Sequence, residues 1–454
     1  MQGVKMREIC DTQLRFEFYQ SNSKMSKKLE KISDILQKDM SFLEKVAENF
    51  KTPKGSPAGA KGMTIEQVVK VAILKQLRQL GYEELFDELN DNISYRRFAK
   101  IHEGEVPKKM TLNENIKRVS PEGWEEIHKV IVKTAKELGV EKGKRVRIDS
   151  TSVESNIHYP IDGELLWDCV RVIDRIIEGV MDQYPDMGIG YHNHTKRAKK
   201  RRYRIVNTSS KEKREEAYKD LLKVSSMTVA YGESCIEQLE ERVRHGDVEA
   251  RVYKEELAGY LESLNIIINQ TERRVLEGEK VEAKDKLVSI FETHSDILVK
   301  GKRKVVFGHK ILLSGGESNL ILDCMIERGN WSDAEYFEKG IDRLKERYDV
   351  LPEEITTDGG FASKDNYDYA VGKGIKKVLF TKKCSSKIVE LVKTSRAYKR
   401  LKKFRAGIEG CISAAKRAYG LSRCTWKGWR SFQSYVWLGV IAFNLSIMAN
   451  ALLK

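Results

Sequence analysis

The sequence predicts an α/β protein whose strands fall in two separated blocks, with an all-α segment between them and a helical module ahead. Three observations carry this prediction. β-Branched runs such as "RVRIDST" (145–151) and "KVVFGHKILLS" (304–314) read as strands. The residues between them, about 162 to 300, show helical stretches and almost no strand signal, and a block that long is no loop inside a compact domain. Ahead of both lie short helical patterns with recognisable caps.

The chain has 454 residues, 41% of them hydrophobic, enough for two to three domains with real cores and too many for wholesale disorder. Lys and Arg number 82 against 67 Asp and Glu, a net charge of +15 that suggests a polyanionic partner, nucleic acid before membrane. The 7 cysteines are scattered, form no CxxC and take no zinc-finger spacing with histidine. They read as reduced thiols of a cytosolic protein, without structural zinc. "MQGVKMREICDTQLRFEFYQ" mixes charged and apolar residues and does not read as a signal peptide.

Helical patterns at 28–37 and 41–50 precede "KTPKGSPAGAKG" (51–62), a linker by composition. Thr64 and Gln67 form a capping box for a helix carrying Ile65, Val68, Val69, Ala72 and Leu77, which Gly81 would end. Residues 82–90 and 94–101 add two short helices. This module is either a helix-turn-helix with Arg96, Arg97 and Lys100 facing DNA, or an oligomerisation or structural bundle. Ser120 and Pro121 open a helix to about Leu138.

In the long helical block, "HNHTKRAKKRRYR" (192–204) holds Lys199, Lys200, Arg201 and Arg202 in a run without acids. It reads as a solvated helix face or, favoured by that absence, as a phosphate contact. After the block come strands at 304–314 and 320–329 joined by "GGESN", a helix from Ser332, a strand ending at Asp358, a helix over 364–373 and a strand at 376–381. A helix from about Phe404 to Tyr419 follows. The last stretch, "YVWLGVIAFNLSIMANALL" (435–453), is long enough to span a membrane. Asn444, Ser446 and Asn450 within it, and Trp426, Trp429 and Arg430 before it, favour a buried core helix.

Three acids stand out. Asp149 interrupts a β-branched run, where aspartate is disfavoured, so it is a turn residue or a functional carboxylate. Asp358 ends a strand before two glycines that leave room around the acid. Arg405, Glu409 and Lys416 share one face of a helix whose Gly407, Gly410, Ala414 and Ala415 permit close packing. Carboxylates from three distant positions could hold two Mg²⁺ ions ~3.5–4 Å apart for in-line attack on a phosphodiester.

The order strand-Asp149, helical block, strand-Asp358, helix-Glu409 resembles the DDE transposases of bacterial insertion sequences. Arg405, Glu409 and Lys416 match the last three residues of the "YREK" signature, while Lys402 stands where that signature has tyrosine. "IDSTSVESNIHYPIDGELLWD" is similar to the first-Asp region of the ISNCY type. The resemblance covers about 140 to 450. It implies an RNase H-like catalytic domain (141–161 and 301–454) interrupted by an all-α insertion (162–300), after an N-terminal segment (1–62) and a helical DNA-binding or dimerisation module (63–140). It further implies Asp149, Asp358 and Glu409 as catalytic metal ligands, Mg²⁺ as cofactor with Mn²⁺ able to substitute, and Arg405 and Lys416 on phosphates or a flipped base. Lys310 is a DNA-contact candidate on a strand near the site, and Asp168 a supporting group. Asp323, Asp365, His158 and Trp331 read as structural. The implied partners are double-stranded DNA (terminal repeats and target) and a second copy of the chain; the implied location is a bacterial cytoplasm, on the nucleoid. A nuclease of the same fold, and a DNA-binding protein with an inactive catalytic domain, are the alternatives.

Overall fold

A computed structural model describes residues 4–5, 7–10, 23–53, 62–300, 304–381 and 396–454 and divides the chain into two compact units, Met1–Ser155 with His309–Lys454, and Asn156–Gly308. Apart from 51–53 and 62, the linker expected at 51–62 lies outside the described residues.

The first unit begins with helices α1 (Lys24–Gln37), α2 (Phe42–Ala47), α3 (Ile65–Arg78), α4 (Tyr82–Asp91), α5 (Ile93–Ala99), α6 (Lys109–Arg118) and α7 (Pro121–Glu137). Strands β1 (Val4–Lys5) and β2 (Thr52–Pro53) pair beside them. Thr64 and Gln67 close their capping box on α3, Thr64 Oγ1 accepting from Gln67 N at 3.2 Å and Gln67 Oε1 from Thr64 N at 2.9 Å. Gln79, with φ of 55°, caps the C-terminus of α3, so that Gly81 is left to begin α4, its N–H donating to Glu84 at 2.8 Å. Sequence periodicity misses α6, because Leu112 and Ile116 are its only buried apolar residues and Asn115 is buried beside them.

The sheet of this unit runs in the order β6 (Ile321–Ile326), β5 (Lys304–Gly315), β3 (Arg145–Glu154), β7 (Glu354–Asp358), β8 (Lys377–Thr381). β5 and β6 are antiparallel; β3, β7 and β8 run parallel to one another. Helices α12 (Asp333–Tyr348), α13 (Lys364–Gly372), α14 (Arg396–Ala418) and α15 (Trp429–Leu452) complete it. α14 begins eight residues before the apolar pattern does, since "RAYKRLKK" has only Leu401 to bury. Gly407 of α14 faces Arg147 of β3: a Cβ there would meet Nη1 at 2.0 Å, whereas Gly410 has nothing within 4 Å. Arg147 is itself fixed, donating to Phe404 O at 2.8 Å and Asn319 Oδ1 at 2.6 Å.

α15 is apolar enough to cross a membrane, yet 78% of its apolar window is buried within the unit. Its polar residues explain that placement. Asn444 Oδ1 accepts from Ile321 N at 2.9 Å, and its Nδ2 donates to Ile321 O at 2.7 Å, so one amide satisfies both backbone groups of a strand residue. His128 of α7 lies 3.1 Å from the same amide and 3.0 Å from Tyr348 Oη. Ser434 Oγ donates to Val119 O at 3.0 Å.

Gly439 of α15 lies against the chain after α14: a Cβ would meet Leu421 Cδ2 at 2.6 Å and the carbonyl of Tyr419 at 2.9 Å. Gly439→Ala is expected to destabilise the chain by about 1–3 kcal/mol from overpacking, although alanine is favoured over glycine in helices by ~1 kcal/mol. A lower urea midpoint with unchanged m is the result to look for; an equal or higher midpoint would show that α15 can shift freely.

Burial pushes the His128 imidazole down to about 4, against the hydrogen bond to Ile321 O. The unfolded chain, with an ordinary histidine near 6.5, binds a proton that the folded chain refuses until about 4. Stability should therefore be complete above about pH 6.5 and fall by up to about 3 kcal/mol as pH drops to about 4. Urea unfolding across that window should show this loss in wild type and a smaller one in His128→Gln.

The second unit holds α8 (Asp162–Gln183), α9 (Thr195–Asn207), α10 (Lys211–Arg244) and α11 (Val248–Thr271), packed around Leu166, Ile173, Leu221, Cys235 and Leu264. A three-residue connection makes α10 and α11 antiparallel neighbours. β4 (Asp296–Lys300) pairs antiparallel with the first residues of β5, Leu298 opposite Val306. This strand falls where the sequence reads as helical or irregular, because five residues show no period until a partner is beside them.

Candidate active site

Two of the three acids meet through strand register. β3 and β7 are parallel neighbours with Ile148 opposite Thr357, so Asp149 and Asp358 follow at the next step along adjacent strands, which lie ~4.8 Å apart. Each carboxylate has one oxygen held by a nearby backbone N–H: within β3, Asp149 Oδ1 accepts from Ser150 N at 2.9 Å, and in the turn after β7, Asp358 Oδ1 accepts from Gly360 N at 2.9 Å. The turn of the plain reading is thus present at Asp358, whereas Asp149 lies within its strand; both bonds orient the acids without occupying them fully.

A third carboxylate, Asp333, stands beside this pair. It opens α12, and a Cβ on Gly360 would lie 2.9 Å from Asp333 Oδ2 and 3.1 Å from Asp358 Oδ1. Glycine at 360 therefore keeps open a space that two carboxylates border. Lys310 Nζ is 2.7 Å from Asp333 Oδ1 and donates to Trp331 O at 3.0 Å, its ammonium 4.5 Å from the Trp331 ring centre. Sequence reading passes over Asp333. The available signal was the capping pair Ser332 and Glu335, which starts a helix just after the hairpin and so brings its first turn near the strand ends.

Glu409 approaches through an intermediary. Arg405 on α14 contacts Glu409 Oε1 at 2.8 Å with one nitrogen and Asp149 Oδ2 at 3.5 Å with another. Arg405 is largely buried, 15% exposed, whereas Glu409 is 62% exposed. Arg405 Nε is buried and has no hydrogen-bond partner. Burial pushes the Asp149 carboxyl up to about 6; Arg405 opposes the rise, and Asp358 and Asp333 add to it. Lys416 Nζ donates to Ser152 O at 2.7 Å, clamping α14 to β3. Among the described residues no three of His, Cys, Asp and Glu form a preassembled metal cluster.

The donors nevertheless suit a hard divalent cation: carboxylate oxygens, a glycine-lined gap, and a buried acid with acidic neighbours that a cation would relieve.

Arg96 binds backbone carbonyls of Leu89 and Asn90, Arg97 is 4.0 Å from Glu30, and Lys100 is 2.9 Å from the buried Glu66. In the second unit Lys199 and Lys200 are exposed, while Arg201 and Arg202 pair with Asp220 and Glu164. Asp168 contacts Arg171 at 2.8 Å and His158 at 3.6 Å. Asp323 is a buried partner of Arg343 at 2.9 Å, and Trp331 is buried.

Residues 16–118 match the family described as "Transposase domain (DUF772)", and residues 293–445 match "Transposase DDE domain". The second match includes Asp358 and Glu409 and begins after Asp149. No curated protein and no solved structure matches the chain. A mixed sheet with helices and a DDE domain, which implies an RNase H-like fold, define an enzyme of the nuclease and transposase class. Within that class the two matches support an insertion-sequence DDE transposase. Such enzymes act on DNA and in general use divalent metal ions.

Proposed function

We propose that the chain binds the ends of its insertion element as duplex DNA and catalyses metal-dependent strand cleavage followed by strand transfer. The observation that carries this reading is the register of β3 and β7, which sets Asp149, within β3, beside Asp358, the last residue of β7. In this proposal Asp149, Asp358 and Glu409 hold Mg²⁺, with Mn²⁺ able to replace it. Metal ions bound there would supply activation of water or a 3′-hydroxyl and stabilisation of the leaving oxygen.

The chain's own residues then have separate tasks. Asp149 and Asp358 are each oriented by a backbone N–H. Arg405 neutralises Asp149 and Glu409 together. Lys416 and Lys310 fix α14 and α12 against the strands, so they position the acids. The RNase H-like domain in this reading is interrupted by the helical unit, with the N-terminal helices as a DNA-binding or dimerisation module and at least two copies acting on paired ends.

The test is incubation of the full chain with DNA carrying the element's own ends, with Mg²⁺, Mn²⁺ or EDTA. Metal-dependent 3′-hydroxyl ends at the element boundary, and their joining to a second duplex, support the proposal. Cleavage without joining would leave a nuclease; binding without either would leave a DNA-binding protein.

A further inference from the structure

The basic helix α9 divides its charges by residue type. It contains Lys196, Arg197, Lys199, Lys200, Arg201, Arg202 and Arg204, with no acid. Every one of the four arginines is ion-paired inside the helical unit. Arg197 and Arg201 share Asp220 of α10, Arg204 reaches Glu216 at 2.9 Å, and Arg202 pairs with Glu164 of α8. Arg202 also lies 5.4 Å from the Trp167 ring centre. The three lysines are all exposed, and among the described residues none has an ion-pair partner.

Helical geometry explains the division. Ala198 and Ile205 are buried and mark the face that packs inward. Arg197, Arg201 and Arg204 flank that face on one side, at spacings of four and three, and Arg202 flanks it on the other. Lys196, Lys199, Lys200 and Tyr203 recur at three, four and seven residues, an arc of about 100° opposite the buried stripe. Tyr203 is 64% exposed, unusual for a tyrosine with no core to join. The arginine forks thus bind α9 to its own unit, and the lysines project three unneutralised ammonium groups around one exposed ring.

We propose that this lysine and tyrosine face is a duplex-DNA contact surface, its lysines on phosphates and Tyr203 against the backbone between them. This rests on the transposase reading for its ligand. The lysine-to-tyrosine stretch spans about 10 Å of helix, some three phosphates of one strand at ~3.4 Å of duplex axis each. Lysine suits that task as a mobile point charge that need not match a fixed fork geometry. The surface reads no sequence, since it offers no group fitted to base edges. The arginines have no part in it.

The experiment is a salt titration of full-chain binding to a generic duplex and to the element's ends, by fluorescence anisotropy. The triple variant Lys196→Gln, Lys199→Gln, Lys200→Gln should bind both DNAs roughly tenfold or more weakly. Its slope of log affinity against log salt should be shallower by about 3, with the melting temperature unchanged. Tyr203→Ala should weaken binding without changing the slope. Arg197→Gln with Arg201→Gln should do the reverse, lowering the melting temperature and keeping the slope. An unchanged slope in the triple lysine variant overturns the inference while leaving the transposase reading intact. A triple variant that keeps DNA binding and loses self-association overturns it too, placing a second copy's acidic surface on the stripe. Wild-type chain that binds neither DNA overturns both.

Discussion

Asp149→Asn and Asp358→Asn chains are expected to bind the element's ends as wild type does and to cleave them roughly 10³-fold more slowly or worse. Asn keeps the volume and the acceptor for Ser150 N and Gly360 N, so folding should survive while the anionic charge is lost. Glu409→Gln tests the third position. Because Glu409 is exposed and tied to Asp149 only through Arg405, its effect separates two arrangements. A comparable loss makes it the third carboxylate of the proposed triad. Near-normal cleavage would transfer that role to Asp333, the acid that borders the Gly360 gap, and Asp333→Asn would then carry the loss. Near-normal rates in both strand variants would end the DDE assignment of these residues.

Asn444→Leu should be strongly damaging although it lies away from the site. It is nearly isosteric and suits an apolar helix, so packing alone predicts a neutral outcome. The amide, however, is the partner of both Ile321 N and Ile321 O and lies against His128 in a fully buried setting. The leucine leaves Ile321 N without that partner and Ile321 O with His128 Nε2 alone, a cost of roughly 1–3 kcal/mol read as a fall in the urea midpoint. Asn444→Asp is a useful companion: it keeps one acceptor and adds a buried charge, and should be worse still. A loss under about 1 kcal/mol in the leucine variant would mean that water replaces the amide.

Much of this architecture is legible in the sequence because local signals and tertiary demands coincide. The Thr64 and Gln67 box, the strands leading into Asp149 and Asp358, and the 405, 409, 416 helix face all follow from short-range rules. What stayed hidden depended on residues far apart in the chain. β4 becomes a strand only beside β5, and α6 exposes too little apolar pattern to be read. The seven charges of α9 look equivalent in the sequence; Asp220 and Glu216 on α10 and Glu164 on α8 decide which are used internally. Arg405 reads as a phosphate ligand, yet only the fold reveals that it also braces Asp149 to Glu409. Asp333 could not be distinguished from any other helix-capping acid until Gly360 was placed beside it.

The amide of Asn444 has a bearing on aggregation as well. A strand residue with open N–H and C=O groups is a template for another chain's strand, and proteins commonly blunt it with charge, proline or a bulge. At Ile321 the template is instead covered by a side chain projecting from a helix, which presents the donor and acceptor pair of a peptide group without extending the sheet. With that pair occupied, Ile321 offers no open N–H or C=O to the strand of another chain.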